Sequence, residues 1–270
     1  MNFTKKDYTF GDLTDIIRVL RGEGGCPWDR EQTHQSIKYC LLEEACEAME
    51  ALDGKQPDQF ADELGDVLLQ VAFHAEMAEE AGTFTMQDVL NHICKKLISR
   101  HTHIFGDDHT SDTEGALSLW EKNKKAEKGL KTQTELMRDV CSYLPALLRA
   151  QKVQKKAAQV GFDWDDVSGA MKKLEEEKGE LAAAVSDGCS AHIEEELGDL
   201  LFSCVNVSRF LGVNPEEALK KATDKFVARF ELVERAALGC GKRLETMSLE
   251  EMDALWDKVK KESKETPANG

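Results

Sequence analysis

A pattern of carboxylates occurs twice in this chain at one fixed spacing, and that repeat constrains the fold more than any other feature. Glu43-Glu44-x-x-Glu47 is followed by Glu63-Leu64-Gly65-Asp66, and Glu176-Glu177-x-x-Glu180 by Glu196-Leu197-Gly198-Asp199. Both parts of the motif recur 133 residues later. A chain of 270 residues therefore reads as two halves related by duplication, each long enough to bury its own core. Residues three and four apart on a helix share a face, so Glu44 with Glu47, and Glu63 with Asp66, project together. Four carboxylates converging from two neighbouring helices make a hard-cation site. Such a site beside basic residues is how proteins handle polyphosphates.

Helical periodicity runs through long segments, with only five prolines to interrupt it. The pattern predicts helices near 11–21, 35–53, 58–81, 86–100 and 114–127, then 139–158, 167–186, 190–211, 215–238 and 248–262. Asp53-Gly54 and Asp187-Gly188 end the first carboxylate helix of each half. Asn214-Pro215-Glu216-Glu217 is an N-cap followed by proline at the first helical position. The fold class that follows is all-α, two tandem helical bundles joined by short connections. Its expected limits are 1–125 for the first domain, 126–138 for a charged linker, 139–262 for the second and 263–270 for a disordered tail.

On the first carboxylate helix, Ile37, Leu41, Ala45, Ala48 and Leu52 form one apolar stripe with Glu44 against its edge. A carboxylate bordering a buried face needs a partner. Gly65 and Gly198 lie inside helices at a cost of roughly 1 kcal/mol relative to alanine, which predicts close helix packing or backbone approach by a ligand.

Downstream of each quartet comes a basic pair on one helical face, Lys96 with Arg100 and Lys225 with Arg229. The four tryptophans also pair, Trp28 with Trp164 and Trp120 with Trp256, both 136 residues apart. Lys124 and Lys260 each follow a tryptophan by four residues. An aromatic plus a cation suits a base and its phosphate, and equally a core tryptophan under a snorkelling lysine. Trp28 and Trp164 read either as loop anchors or as pocket walls.

The formal charge of −16 argues against a nucleic-acid duplex as partner. No apolar run reaches membrane-spanning length. The eight cysteines lack any C-x-x-C pair; Cys40, Cys46, Cys94 and Cys204 lie within helical patterns and read as small core residues or free thiols, in a chain read as cytoplasmic. A di-iron bundle would need Glu-x-x-His on two helices, whereas the ELGD motif puts aspartate at the histidine position.

These motifs, with Cys26-Pro27-Trp28-Asp29-x-x-Gln32-Thr33-His34 and Val160-Gly161-Phe162-Asp163-Trp164, make the chain resemble the MazG-type nucleoside triphosphate pyrophosphohydrolases in their tandem two-domain form. The resemblance covers roughly residues 8–262. It implies an all-α protein that forms a homodimer and cleaves the α–β bond of a nucleoside triphosphate to a monophosphate and pyrophosphate. Mg²⁺ is the implied cofactor, with Mn²⁺ able to substitute. The implied metal ligands are Glu44, Glu47, Glu63 and Asp66, then Glu177, Glu180, Glu196 and Asp199. The implied triphosphate contacts are Lys96, Arg100, Trp120 and Lys124, then Lys225, Arg229, Trp256 and Lys260. One departure is His192, where some members carry a lysine before the second ELGD. A carboxylate not fully committed to metal, Glu43 or Glu47 and their counterparts Glu176 or Glu180, is the expected general base. The alternative is a nucleotide-sensing or scaffolding helical protein in which one or both sites do no chemistry.

Overall fold

Asparagine, threonine and proline punctuate this chain where its helices begin. Thr9 accepts from Asp12 N and Thr85 from Asp88 N, and each aspartate reaches back to its cap, so α1 (Phe10–Arg21) and α5 (Met86–Arg100) open on capping boxes. The computed structural model describes Thr4 and residues 6–265, and all regular elements among them are helical. The chain divides into two compact units, one ending at Glu127 and the other beginning at Lys128. In the first, α2 (Pro27–Glu31), α3 (Cys40–Asp53), α4 (Pro57–Glu80), α6 (Thr102–Phe105) and α7 (Thr113–Glu127) join α1 and α5. The second holds α8 (Gln133–Arg138), α9 (Ala146–Ala158), α10 (Val167–Asp187), α11 (Ser190–Phe210), α12 (Pro215–Gly239), a 3₁₀ turn at Leu244–Thr246, and α13 (Leu249–Glu265).

The centre of each unit is an antiparallel pair, α3 with α4 and α10 with α11. Ile17, Ile37, Ala72, Phe73 and Met77 form the buried cluster of the first unit, packing α1 and the lead-in to α3 onto α4. In the second unit the buried apolar side chains among the described residues are smaller: Ala170, Ala184, Val205, Val233, Ala237 and Val259.

Several expectations shift. The helix expected from residue 35 starts at Cys40, because Thr33 and Ser36 exchange backbone–hydroxyl hydrogen bonds of 2.9 and 3.2 Å that hold a turn. His34 Nδ1 lies 2.8 Å from His74 Nδ1, tying that turn to α4. The helix expected from 139 begins at Ala146, after Pro145 as N-cap. Within the expected linker, Gln133–Arg138 form α8, opened by a Thr132–Glu135 capping box and packed on α9. The expected tail lies partly outside the described residues; α13 continues through Glu265. On α3, Ala48 and Ala51 are buried while Leu41 and Leu52 are exposed, since α4 covers only one side of the helix. A β-carbon on Gly65 or Gly198 would meet nothing within 4 Å, so neither glycine serves helix packing inside the chain.

Candidate active site

The α3–α4 pair brings one oxygen each of Glu44, Glu63 and Asp66 within 4.8 Å of one another, and the α10–α11 pair does the same for Glu177, Glu196 and Asp199. These are six of the eight carboxylates expected to hold metal. The spacing suits a small cation: six oxygens at about 2.1 Å around Mg²⁺ lie roughly 3.0–4.2 Å apart. Hard oxygen donors drawn together at mutual electrostatic cost are what such an ion requires.

Glu47 and Glu180 lie beside these trios. Loss of hydration, then crowding by Glu63, Glu44, Glu43 and Asp66, pushes the Glu47 carboxyl above its ordinary value. Glu180 is also raised, first by a hydrogen bond with Glu177 and then by lost hydration. Glu43 and Glu176 are exposed on the adjacent edge of their helices.

The second site carries a cation that sequence reasoning missed. Lys173 Nζ is 2.6 Å from Glu177 Oε1 and 2.7 Å from Glu176 Oε1, and both carboxylates hold its ammonium above the ordinary lysine value. Glu177 is 4 % exposed, so this partner is what makes its burial tolerable. The signal was present, a lysine one turn before the Glu-Glu pair. The 133-residue offset puts Cys40 at the same place in the first unit, so no repeat drew attention to it. There Glu44 instead accepts from Gln70 Nε2 at 3.3 Å.

A cavity of about 450 Å³ opens beside Glu177 and Asp199. Trp164 and Phe162 wall it, which decides Trp164 as a pocket wall; Trp28 in the first unit is 64 % exposed. Arg209 lines the cavity and is held by Asp163, with its guanidinium over Phe210 at 4.4 Å. Gln154, Ser203 and Asn206 form the polar floor, all three buried.

Among the expected triphosphate contacts of the first unit, Arg100, Trp120 and Lys124 meet one another. Arg100 is buried, pairs with Glu127 through Nε at 2.9 Å and Nη2 at 3.2 Å, and lies over Trp120 at 5.1 Å, with Lys124 over the same ring at 5.6 Å. Lys96 is exposed one turn earlier. In the second unit Trp256 packs on Phe226 at 5.1 Å between α12 and α13. Lys225, Arg229, Trp256 and Lys260 do not line the cavity beside Glu177 and Asp199. A shared helical face puts a basic pair together, and only tertiary packing decides what it confronts.

Comparison with known proteins bears on both halves. The family model described as the MazG nucleotide pyrophosphohydrolase domain matches residues 32–105 and again 165–233, so each match spans one carboxylate trio. A nucleoside triphosphate pyrophosphohydrolase/pyrophosphatase MazG of Thermotoga maritima is 47% identical over 251 residues, covering 93% of this chain and 95% of the relative. A nucleoside triphosphate pyrophosphohydrolase of Escherichia coli K12 is 42% identical over 254 residues, with 93% and 96% covered. With two family matches along one chain, and relatives aligned over nearly their whole length, this protein belongs to the MazG nucleotide pyrophosphohydrolase family in its tandem form.

Proposed function

We propose that the protein hydrolyses nucleoside triphosphates at the α–β bond, releasing a nucleoside monophosphate and pyrophosphate. The observation that carries this reading is the carboxylate trio Glu177, Glu196 and Asp199, of which Glu177 and Asp199 line a cavity walled by aromatic side chains. The names of the relatives from Thermotoga maritima and Escherichia coli support it.

The trios fit Mg²⁺, and we assign it to Glu44, Glu63 and Asp66 with Glu47 adjacent, and to Glu177, Glu196 and Asp199 with Glu180 adjacent. When bound, the ion supplies charge neutralisation of the polyphosphate and a more acidic water. The chain's own groups do the rest. Water adds to one of the two phosphorus atoms that share the bridging oxygen, the bond from that same phosphorus to the bridging oxygen breaks, and the molecule separates into monophosphate and pyrophosphate. A carboxylate outside the trio accepts the water's proton. Glu47 and Glu180, already raised by lost hydration and neighbouring carboxyls, suit that role better than a fully solvated glutamate; Glu43 and Glu176 are the alternatives. Lys173 offsets the charge of Glu176 and Glu177. Lys96, Arg100, Trp120 and Lys124, with Lys225, Arg229, Trp256 and Lys260, remain proposed triphosphate contacts, supported by the stacking of cation on tryptophan in the first unit.

We also propose a homodimer formed through the carboxylate helices. Leu64 and Leu68 on α4 are 47% and 41% exposed, and Leu197 and Leu201 on α11 are 46% and 49% exposed, so each helix leaves an apolar i, i+4 pair uncovered beside an open glycine. A cytoplasmic location accords with eight cysteines that are all free thiols. Among the described residues no helix is long and apolar enough to cross a membrane.

The test is turnover of each canonical NTP and dNTP with Mg²⁺, resolving mono- and diphosphate, pyrophosphate and phosphate. Glu63→Ala, Glu196→Ala and the double variant run alongside. Monophosphate plus pyrophosphate is expected, with loss in one single variant naming the working unit and loss only in the double variant showing that both work. Diphosphate plus phosphate as products would refute the reading. Nucleotide binding without turnover under any metal would favour a sensor.

A further inference from the structure

The floor of the cavity holds two amide side chains whose orientations are fixed by what they touch. Gln154 on α9 is 6% exposed, and one end of its amide lies 2.8 Å from the main-chain carbonyl of Phe202. A carbonyl only accepts, so that end is Nε2. Gln154 Oε1 is then the other end; it is buried and has no hydrogen-bond partner in the chain. Asn206, one turn beyond Phe202 on α11 and 9% exposed, has the opposite arrangement. Its Oδ1 accepts from Arg209 Nε at 3.0 Å and Nη2 at 2.8 Å. A guanidinium only donates, which leaves Asn206 Nδ2 as the donating end. Both residues line the same cavity as Trp164 and the metal-facing carboxylates Glu177 and Asp199.

An unpaired buried acceptor costs free energy until something donates to it. The first unit lacks this pair of amides, although Gln70 Oε1 there is also buried without a hydrogen-bond partner. The 136-residue offset puts Arg18 at the place of Gln154, and the 133-residue offset puts Phe73 at that of Asn206 and Glu76 at that of Arg209. Arg18 is paired with Glu76 at 3.4 Å, and Phe73 is packed into the apolar cluster with Ile17 and Met77. The same helices therefore close the floor with a ring and an ion pair in one unit, and leave a polar cavity in the other.

We propose that Gln154 and Asn206 read the nucleobase in the second unit: Gln154 Oε1 accepts from a base N–H, and Asn206 donates to the acceptor beside it. The ligand class is a nucleobase edge with a donor next to an acceptor, flanked by Trp164 and reached while the phosphates face Glu177, Glu196 and Asp199. This inference rests on the pyrophosphohydrolase reading and adds the residues that select the substrate.

Steady-state pyrophosphate release from the full chain tests it. Each canonical NTP is paired with an analogue lacking the edge N–H: purine for adenine, 2-pyrimidinone for cytosine, N1-methylguanine and N3-methyluracil. Ribose 5′-triphosphate serves as the base-free control. Removing the donor from the preferred base should raise KM at least tenfold with kcat changed less than threefold, because Gln154 Oε1 is again left unpaired. Gln154→Met, which keeps the volume and removes the acceptor, should bring that ratio below threefold. The wild-type comparison needs no variant and stands if Gln154→Met fails to fold. Turnover of ribose 5′-triphosphate with no pair differing by more than threefold would overturn the base-reading role alone. Failure to release pyrophosphate from any of these triphosphates would overturn the hydrolase reading and this inference with it.

Discussion

A β-carbon at Gly169 would lie 2.3 Å from Cδ1 and 2.4 Å from Cγ of Trp164, a contact no core relaxes without moving the ring. Gly169→Ala should therefore displace the cavity wall. We expect a loss of about 1–3 kcal/mol in stability by urea denaturation, together with altered tryptophan emission. A second residue-level test concerns the histidine pair. The two imidazoles are coplanar within 4° with Nδ1 atoms 2.8 Å apart, so one must donate and the other accept. Lost hydration, then the neighbouring His34, holds His74 below the ordinary histidine value of 6.5. The unfolded chain then binds more protons than the folded one between the depressed value and 6.5, so stability present above that range is lost as pH falls through it. Between pH 7.5 and 5.5 the urea midpoint of the wild type should fall further than that of His74→Gln; equal falls would show that the pair does not titrate with folding. Neither Trp164 against Gly169 nor His34 against His74 was legible in the sequence. Each joins residues whose types favour no particular partner, and geometry alone introduces them.

The turn between α3 and α4 differs from that between α10 and α11 in which residue takes the left-handed backbone. Gly188 does so after α10, with φ of 72°, as the Asp-Gly signal predicts. After α3, Gly54 stays right-handed at φ −68°, and Lys55 adopts φ of 53°. A side chain in that region costs about 1–2 kcal/mol. Lys55→Gly should accordingly stabilise the protein by about 0.5–1 kcal/mol, while Lys55→Val, whose β-branch tolerates the conformation least, should destabilise it; urea midpoints decide both. The long amphipathic elements were readable because apolar periodicity, proline and caps agree along α1, α4, α5, α10 and α12. The four-residue α6, the five-residue α2 and the six-residue α8 were not, because so few residues carry no period. The carboxylate trios were legible because a repeat marked them and helix spacing fixed their direction. Lys173, Gln154, Asn206 and Arg209 were hidden because they occur in one unit only.

For the whole molecule, the duplication yields two units with unequal interiors. Ile17, Ile37, Phe73 and Met77 are buried in the first, whereas no buried apolar residue larger than valine is described in the second. Larger buried side chains remove more apolar surface from water, each worth about 1.5–3 kcal/mol. Scanning calorimetry should resolve two transitions, the lower lost when Asn206→Phe and Gln154→Leu together fill the second floor. A single transition in the wild type that those substitutions leave unmoved would contradict this picture.

The polar cavity has a thermodynamic reach beyond recognition. A ligand that enters only the folded second unit lifts that unit's melting point by mass action and leaves the first where it was. The concentration of such a ligand would then set how far apart the two transitions lie, with the second unit nearest its threshold when the cavity is empty. The gap between two melting temperatures becomes a gauge of how full that cavity is.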